Sequence, residues 1–153
     1  MYNVQQISAD ELPLMHSLLD CFGEAFDEGD TYGDRRPDDN YLRNLLNERT
    51  FIALVAVENA QVIGGLAAYE LKKFEQPRSE IYIYDLAVAE EHRRRGVATT
   101  LIRHLQKIAA ERGAWVVFVQ ADYEDEPAVR LYSKLGIREE VLHFDLPLGK
   151  PAT

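Results

Sequence analysis

Apolar residues recur along this chain at two spacings, one close to two and one close to 3.6. Runs rich in branched and aromatic side chains at residues 2–8, 51–57, 62–71, 81–88, 115–121 and 137–146 read as strands. The second and third flank Glu58-Asn59-Ala60-Gln61, which predicts a hairpin. The run at 81–88 reads as a central strand and that at 115–121 as a buried one. Leu12, Met15, Leu19, Phe22 and Phe26 fall on one helical face, and so do Leu101, Ile102, Leu105 and Ile108, the latter helix stopped by Gly113. Ser8 and Glu11 match a capping box, but that start leaves Pro13 in the helix interior. A start at Asp10 places Pro13 in the first turn, where its missing donor does no harm. Shorter helices are expected around residues 38–47 and 127–135, with Gly136 just past the end of the latter.

The order is therefore strand, two helices, three strands, helix, strand, helix, strand. It predicts a mixed α/β domain, antiparallel first and then closed by a parallel βαβ crossover. No repeat or linker-like tract interrupts the 153 residues, so residues 1–153 are expected to form a single domain. A chain of this length buries about 70% of its unfolded surface and needs no disulfide or metal staple.

The formal net charge of -9 repels phosphate backbones and anionic membranes, so neither nucleic acid nor membrane is an expected partner. Arg93-Arg94-Arg95 is too short to form a nucleic-acid arm. Acidity serves solubility and equally attracts a cationic partner; charge alone does not separate the two. Cys21, the one cysteine, forms no intramolecular disulfide and sits among Leu18, Leu19 and Phe22, as a small core residue would. No basic N-terminal region precedes an apolar run, and no stretch approaches the ~18 apolar residues of a membrane span. A cytoplasmic location is expected. The four histidines have no metal-ligand spacing, and no metal is expected.

The most informative stretch runs through residues 82–101: a strand, then Arg93-Arg94-Arg95-Gly96-Val97-Ala98, then an amphipathic helix. A glycine at a strand–helix junction lets the backbone approach a ligand, and the first turn of the helix offers unpaired N–H groups at the positive end of its dipole. Together these suit phosphate oxygens. The same residues also read as an ordinary turn with a solvated basic face. Neither a dinucleotide-binding G-x-G-x-x-G nor a P-loop occurs.

Arg93-x-x-Gly96-x-Ala98 after Ile83-Tyr84-Asp85-Leu86-Ala87-Val88 resembles the pyrophosphate-binding signature of the GNAT acetyltransferases. The segment Pro127-Ala128-Val129-Arg130-Leu131-Tyr132-Ser133-Lys134-Leu135-Gly136-Ile137 resembles that family's second signature. Residues 74–88, 119–123, 135–141 and 143–145 are similar to the type I aminoglycoside 3-N-acetyltransferases. The resemblance implies a GNAT fold, with a central mixed sheet flanked by helices and acetyl-CoA as cosubstrate. It further implies direct transfer in a ternary complex to the 3-amino group of a deoxystreptamine ring, giving antibiotic resistance, in a homodimer.

Carried onto this chain, the family pattern places the diphosphate on Arg93, Arg94, Arg95, Gly96, Val97, Ala98 and Thr99, and the pantetheine arm on Leu86, Ala87 and Val88. Tyr132 matches the tyrosine that protonates the departing thiolate; without the resemblance it would read as a core aromatic. Asp85, Glu80 and Asp122 are candidate bases for the acceptor ammonium, with Asp122 and Asp85 level. Strict alternation puts Asp85 on the face of Ile81 and Ile83, and a bulge, usual in the family, would move it. Glu80, Tyr84, Asp122, Tyr123, Glu124 and Asp125 are expected to bind the acceptor, although the acidic run is also what a solvated, helix-capping loop looks like. A second acidic group, at 24–39, lies where the family lines its acceptor cleft. A polyamine or protein N-acetyltransferase, or a non-catalytic acetyl-CoA sensor, is the alternative function.

Overall fold

The turn Asn59-Ala60 is left-handed at both residues, φ 51° and 64°, and joins β2 (Phe51–Glu58) to β3 (Gln61–Lys72) as a two-residue hairpin. Around it the computed structural model, which describes residues 1–149, forms two compact units, one of Met1–Gln120 and a second that begins at Ala121. The last four residues of the expected 1–153 domain lie outside the described residues.

In the first unit β1 (Asn3–Gln6), β2, β3, β4 (Ser79–Val88) and β5 (Ala114–Val119) form one sheet in chain order. The first three pairings are antiparallel, and β4 and β5 are parallel across the connecting helix α3 (Val97–Glu111). The mixed sheet flanked by helices agrees with the expected fold class. α1 (Leu12–Ala25) and α2 (Asp39–Asn47) cover one face, where Leu18, Phe22 and Leu42 pack with Phe51, Ala53, Val55, Ala67 and Ala87. Alternation turns Ile52, Leu54, Leu66 and Ala68 to the opposite face, on which α3 buries Leu101 and Leu105. Gly65 lies where a Cβ would stand 2.4 Å from Leu18 Cδ1, so its lack of a side chain lets α1 settle onto the sheet.

The helix starts follow local chemistry. Ser8 and Glu11 form only half of the expected box: Ser8 N and Oγ both donate to Glu11 Oε1, at 3.0 and 3.1 Å, while Glu11 N donates to the Ser8 carbonyl and closes a turn before α1. The helix consequently begins at Leu12 rather than Asp10, with Pro13 still in its first turn. Asp38 caps α2 by accepting from Tyr41 N at 2.9 Å. Gly113, at φ 76°, ends α3 as expected.

Two expectations are corrected. β5 is an edge strand rather than a buried one: among the described residues it pairs with β4 alone, and Trp115 remains 59% exposed. The strand expected at 137–146 does not form among the described residues. In the second unit α4 (Glu126–Leu135) leads into a chain without strand pairing. Val141, Leu142 and Phe144 are exposed there, and without a partner for its N–H and C=O groups an apolar run does not become a strand.

Candidate active site

The register of β3 against β4 slips by one residue, from Ala67 opposite Asp85 to Ala68 opposite Ile83, so Tyr84 is the extra residue of a bulge. Strict alternation would place Asp85 with Ile81 and Ile83 on the α3 face. The bulge instead puts it opposite Ala67, on the face covered by α1. Tyr84 and Tyr82 share that face with Tyr69, the three rings meeting edge to face at 5.9 and 6.0 Å. Beyond the bulge β4 also loses its other neighbour. Its pairing with β5 ends at Ile83 opposite Val119, so one side of Leu86, Ala87 and Val88 has no strand partner. Main-chain groups on that side can receive an extended polar ligand.

Asp85 is half-buried. Tyr32 Oη donates to its Oδ2 at 2.8 Å, and Oδ1 has no hydrogen-bond partner among the described residues. Burial pushes the Asp85 carboxyl above the usual carboxylate range; Tyr32 opposes this, and the charge of Glu28 adds to it. Tyr32 itself, partly buried and bonded to a carboxylate, holds its proton well above the usual phenol range. It sits on a five-residue π-helical turn (Asp30–Asp34), over Phe22 and Phe26, inside the acidic stretch after α1.

The turn between β4 and α3 has left-handed residues at Arg94 (φ 62°) and Gly96 (φ 78°). A Cβ at Gly96 would meet nothing within 4 Å, so the glycine serves its φ angle and faces open space. The first helical hydrogen bond is Thr100 N to Gly96 O at 2.9 Å, which leaves the N–H groups of Val97, Ala98 and Thr99 without a helical acceptor. The buried Val97 side chain anchors this turn. These residues fit a diphosphate.

The three arginines differ. Arg93 Nε donates to Val88 O at 3.1 Å, and Arg94 has no side-chain partner among the described residues. Arg95 grips Glu58 through both terminal nitrogens at 2.7 and 3.0 Å, which with the chain's amino terminus holds that carboxyl down at about 2. Arg95 is therefore already engaged by protein, and its main-chain N–H is what it can offer an anion. Glu80 is likewise engaged, by Lys73 Nζ and Trp115 Nε1, each at 3.3 Å.

In the second unit, Asp122, Tyr123, Glu124 and Asp125 form an exposed turn, closed by Asp125 N donating to Asp122 O at 3.1 Å. Asp125 also caps α4 through Ala128 N. Tyr123 Oη donates to Glu140 at 2.7 Å. Tyr132, half-buried on α4, has its phenol pushed up to about 12, by burial first and Asp125 second, so it carries its proton throughout the neutral range. Tyr32 and Tyr69 went unnoticed in the sequence, whereas Glu28 lies in the acidic group at 24–39 that it singled out. The available signal for Tyr32 was an aromatic residue inside an acidic run.

A parallel β–α turn with a glycine-opened helix start, beside a bulged and splayed strand, is the frame of a coenzyme A-dependent transferase. Residues 13–137 match the model of the acetyltransferase (GNAT) family, and the chain belongs to that family, whose fold uses acetyl-CoA as cosubstrate. The structure is similar to that of an aminoglycoside acetyltransferase from an uncultured soil metagenomic sample. That chain is 61% identical, with a TM-score of 0.95 over 97% of this chain and 99% of that one. A second aminoglycoside acetyltransferase of metagenomic origin, in complex with sisomicin, is 30% identical with a TM-score of 0.90 over 96% of each chain. Among curated proteins, streptothricin acetyltransferase of Streptomyces lavendulae is 30% identical over 90 residues, 59% of this chain and 44% of its own. N-acetyltransferase 8B of Rattus norvegicus is 28% identical over 102 residues, 67% of this chain and 46% of its own. The chain thus spans less than half the length of these curated relatives.

Proposed function

We propose that this chain transfers the acetyl group of acetyl-CoA to the 3-amino group of the 2-deoxystreptamine ring of an aminoglycoside, by direct attack in a ternary complex, and so confers antibiotic resistance. The observation that carries the reading is Asp85: a half-buried carboxylate brought by the β4 bulge onto a face of tyrosines, with one oxygen held and the other open. The similarity to aminoglycoside acetyltransferases favours that class of acceptor. Regiochemistry rests on the resemblance of residues 74–88 to the type I 3-N enzymes.

In this reading the N–H groups of Val97, Ala98 and Thr99, with Arg93 and Arg94, hold the diphosphate, and the main chain of Leu86, Ala87 and Val88 holds the pantetheine arm. Acetyl-CoA, when bound, supplies the acetyl group, whose thioester bond breaks as the new amide bond forms. An alkylammonium has no lone pair, so the acceptor first gives a proton to Asp85, whose raised carboxyl makes it a better base than an exposed aspartate. We assign the base to Asp85 in preference to Asp122, which is exposed in a turn. Tyr132, protonated at neutral pH, donates its hydroxyl proton to the departing sulfur and regains one from the attacking nitrogen, which sheds its second proton as it becomes an amide. Tyr84 offers an exposed ring to a sugar, and Tyr123, Glu124, Asp125 and the Glu80 oxygen not bonded to Lys73 and Trp115 offer carboxylates and a hydroxyl to the acceptor's ammonium groups. We further propose that residues 1–153 act as one catalytic domain, in the cytoplasm and as a homodimer. The exposed apolar side chains of Ile137, Leu142, Phe144 and Leu146 are candidates for the surface a second copy would cover.

The test is a mass spectrum of gentamicin after incubation with the protein and acetyl-CoA, with NMR of the product. One acetyl group on the 3-amino nitrogen is the expected result. Acetylation at another nitrogen overturns the regiochemistry. Acetylation of spermine or a peptide alone overturns the acceptor class.

A further inference from the structure

Asp85 is approached from 53 residues away by one side chain, Tyr32, and the position of Tyr32 is fixed from several directions. Its ring lies 5.9 Å from Phe22 and 5.8 Å from Phe26 between centroids. Its backbone N–H donates to Glu28 O at 3.1 Å, and its carbonyl accepts from Arg36 Nε at 2.8 Å. Arg36 is itself tied to Asp20 at 2.6 Å and to His16 at 3.2 Å, both on α1. Gly23 completes the seat: a Cβ there would stand 3.3 Å from Tyr32 Cβ, so the π-helical turn rests directly on α1.

We propose that Tyr32 is a positioning residue for acetyl transfer, whose hydroxyl holds Oδ2 of Asp85 so that Oδ1 is presented to the acceptor amine. The inference rests on the assignment of Asp85 as base. A carboxylate with one oxygen pinned loses the rotation that would otherwise turn its open lone pairs away, and a hydrogen bond to the charged form favours ionisation. The groups facing Asp85 are Glu28 and Tyr32 from the segment after α1, Tyr69 on β3, and Tyr82 and Tyr84 on β4. Burial and Glu28 disfavour the carboxylate, and Tyr32 counteracts them as a hydrogen-bond donor. The aromatic turn over α1 thereby sets both the direction of the base and the pH at which it works.

Tyr32→Phe removes the hydroxyl and keeps the ring. In this variant the acid limb of the kcat/KM profile moves to higher pH, with a loss of about tenfold on that limb, the scale of one hydrogen bond to a charged group. The alkaline plateau stays several-fold below wild type, because the ionised carboxylate is no longer held in direction, and KM for acetyl-CoA is unchanged. The Asp85 carboxyl carbon, followed by NMR titration in 13C-labelled protein, moves its midpoint in the same direction. Arg36→Met, which frees the Tyr32 carbonyl, gives a smaller shift of the same sign and serves if Tyr32→Phe folds poorly. A profile and titration superimposable on wild type, while Asp85→Asn is inactive, overturn the role of Tyr32 and leave the base assignment standing. Full activity with an unchanged acid limb in Asp85→Asn overturns the base assignment itself, and the inference falls with it.

Discussion

Residues 24–39 and 122–126 are equally acidic to the eye, with seven carboxylates in the first and four in five positions in the second. The fold treats them differently. The first segment is built down onto α1 by Phe22, Phe26 and the Arg36 ties, and its Tyr32 reaches a carboxylate on the central sheet. The second is an exposed turn whose ordered work is to cap α4 and bond Tyr123 to Glu140. A run of acids is thus no measure of chemistry. A carboxylate becomes a base when its surroundings desolvate it, hold one oxygen and leave the other open, and here that carboxylate, Asp85, lies in neither run.

Substitutions besides Tyr32→Phe test this contrast, from the largest expected effect to the smallest, with Asp122→Asn as the control for Asp85→Asn. Asp85→Asn lowers kcat/KM about 100-fold or more, the usual weight of a general base, and abolishes the acid limb of the pH profile. In the wild type, activity falls as pH drops through the raised pKa of Asp85, because the protonated carboxyl accepts no proton. Asp122→Asn, measured beside it, stays near wild type; a larger loss there than at Asp85 would exchange their roles. Tyr132→Phe lowers turnover at least about tenfold at saturating substrates while acetyl-CoA affinity, read by calorimetry, is kept.

Neutralising Asp122, Glu124 and Asp125 together as Asn, Gln and Asn raises the aminoglycoside KM several-fold and flattens its salt dependence. Each exposed pair contributes only about 1 kcal/mol or less, so the three must act together. Constants unaltered across a salt series would reduce this segment to a solvated loop. Asp125→Ala, finally, destabilises α4 by about 1 kcal/mol, seen as faster amide exchange in its first turn, whereas Asp125→Asn, which still caps, does not.

Much of the frame was legible because it is local. The 3.6 spacing of Leu101, Leu105 and their neighbours marked α3, the hairpin followed from two apolar runs about a short polar gap, and Gly96 marked a strand–helix junction open to a ligand. The candidate diphosphate turn was therefore readable as a string. The 137–146 run read as a strand by the same logic and is not one, since strand formation requires a partner edge that no run of residues carries within itself.

The order of elements and the residue types available for catalysis depend on neighbours within a few positions and are written in the chain. Which of those residues meet depends on the folded molecule. A one-residue slip at Tyr84 moves Asp85 to the other face of the sheet, Tyr32 finds it across 53 residues, and Glu58 takes Arg95 out of the set of free cations across 37. Such pairings depend on the register between strands and the seating of a loop on a helix, neither of which leaves a periodic trace in the chain.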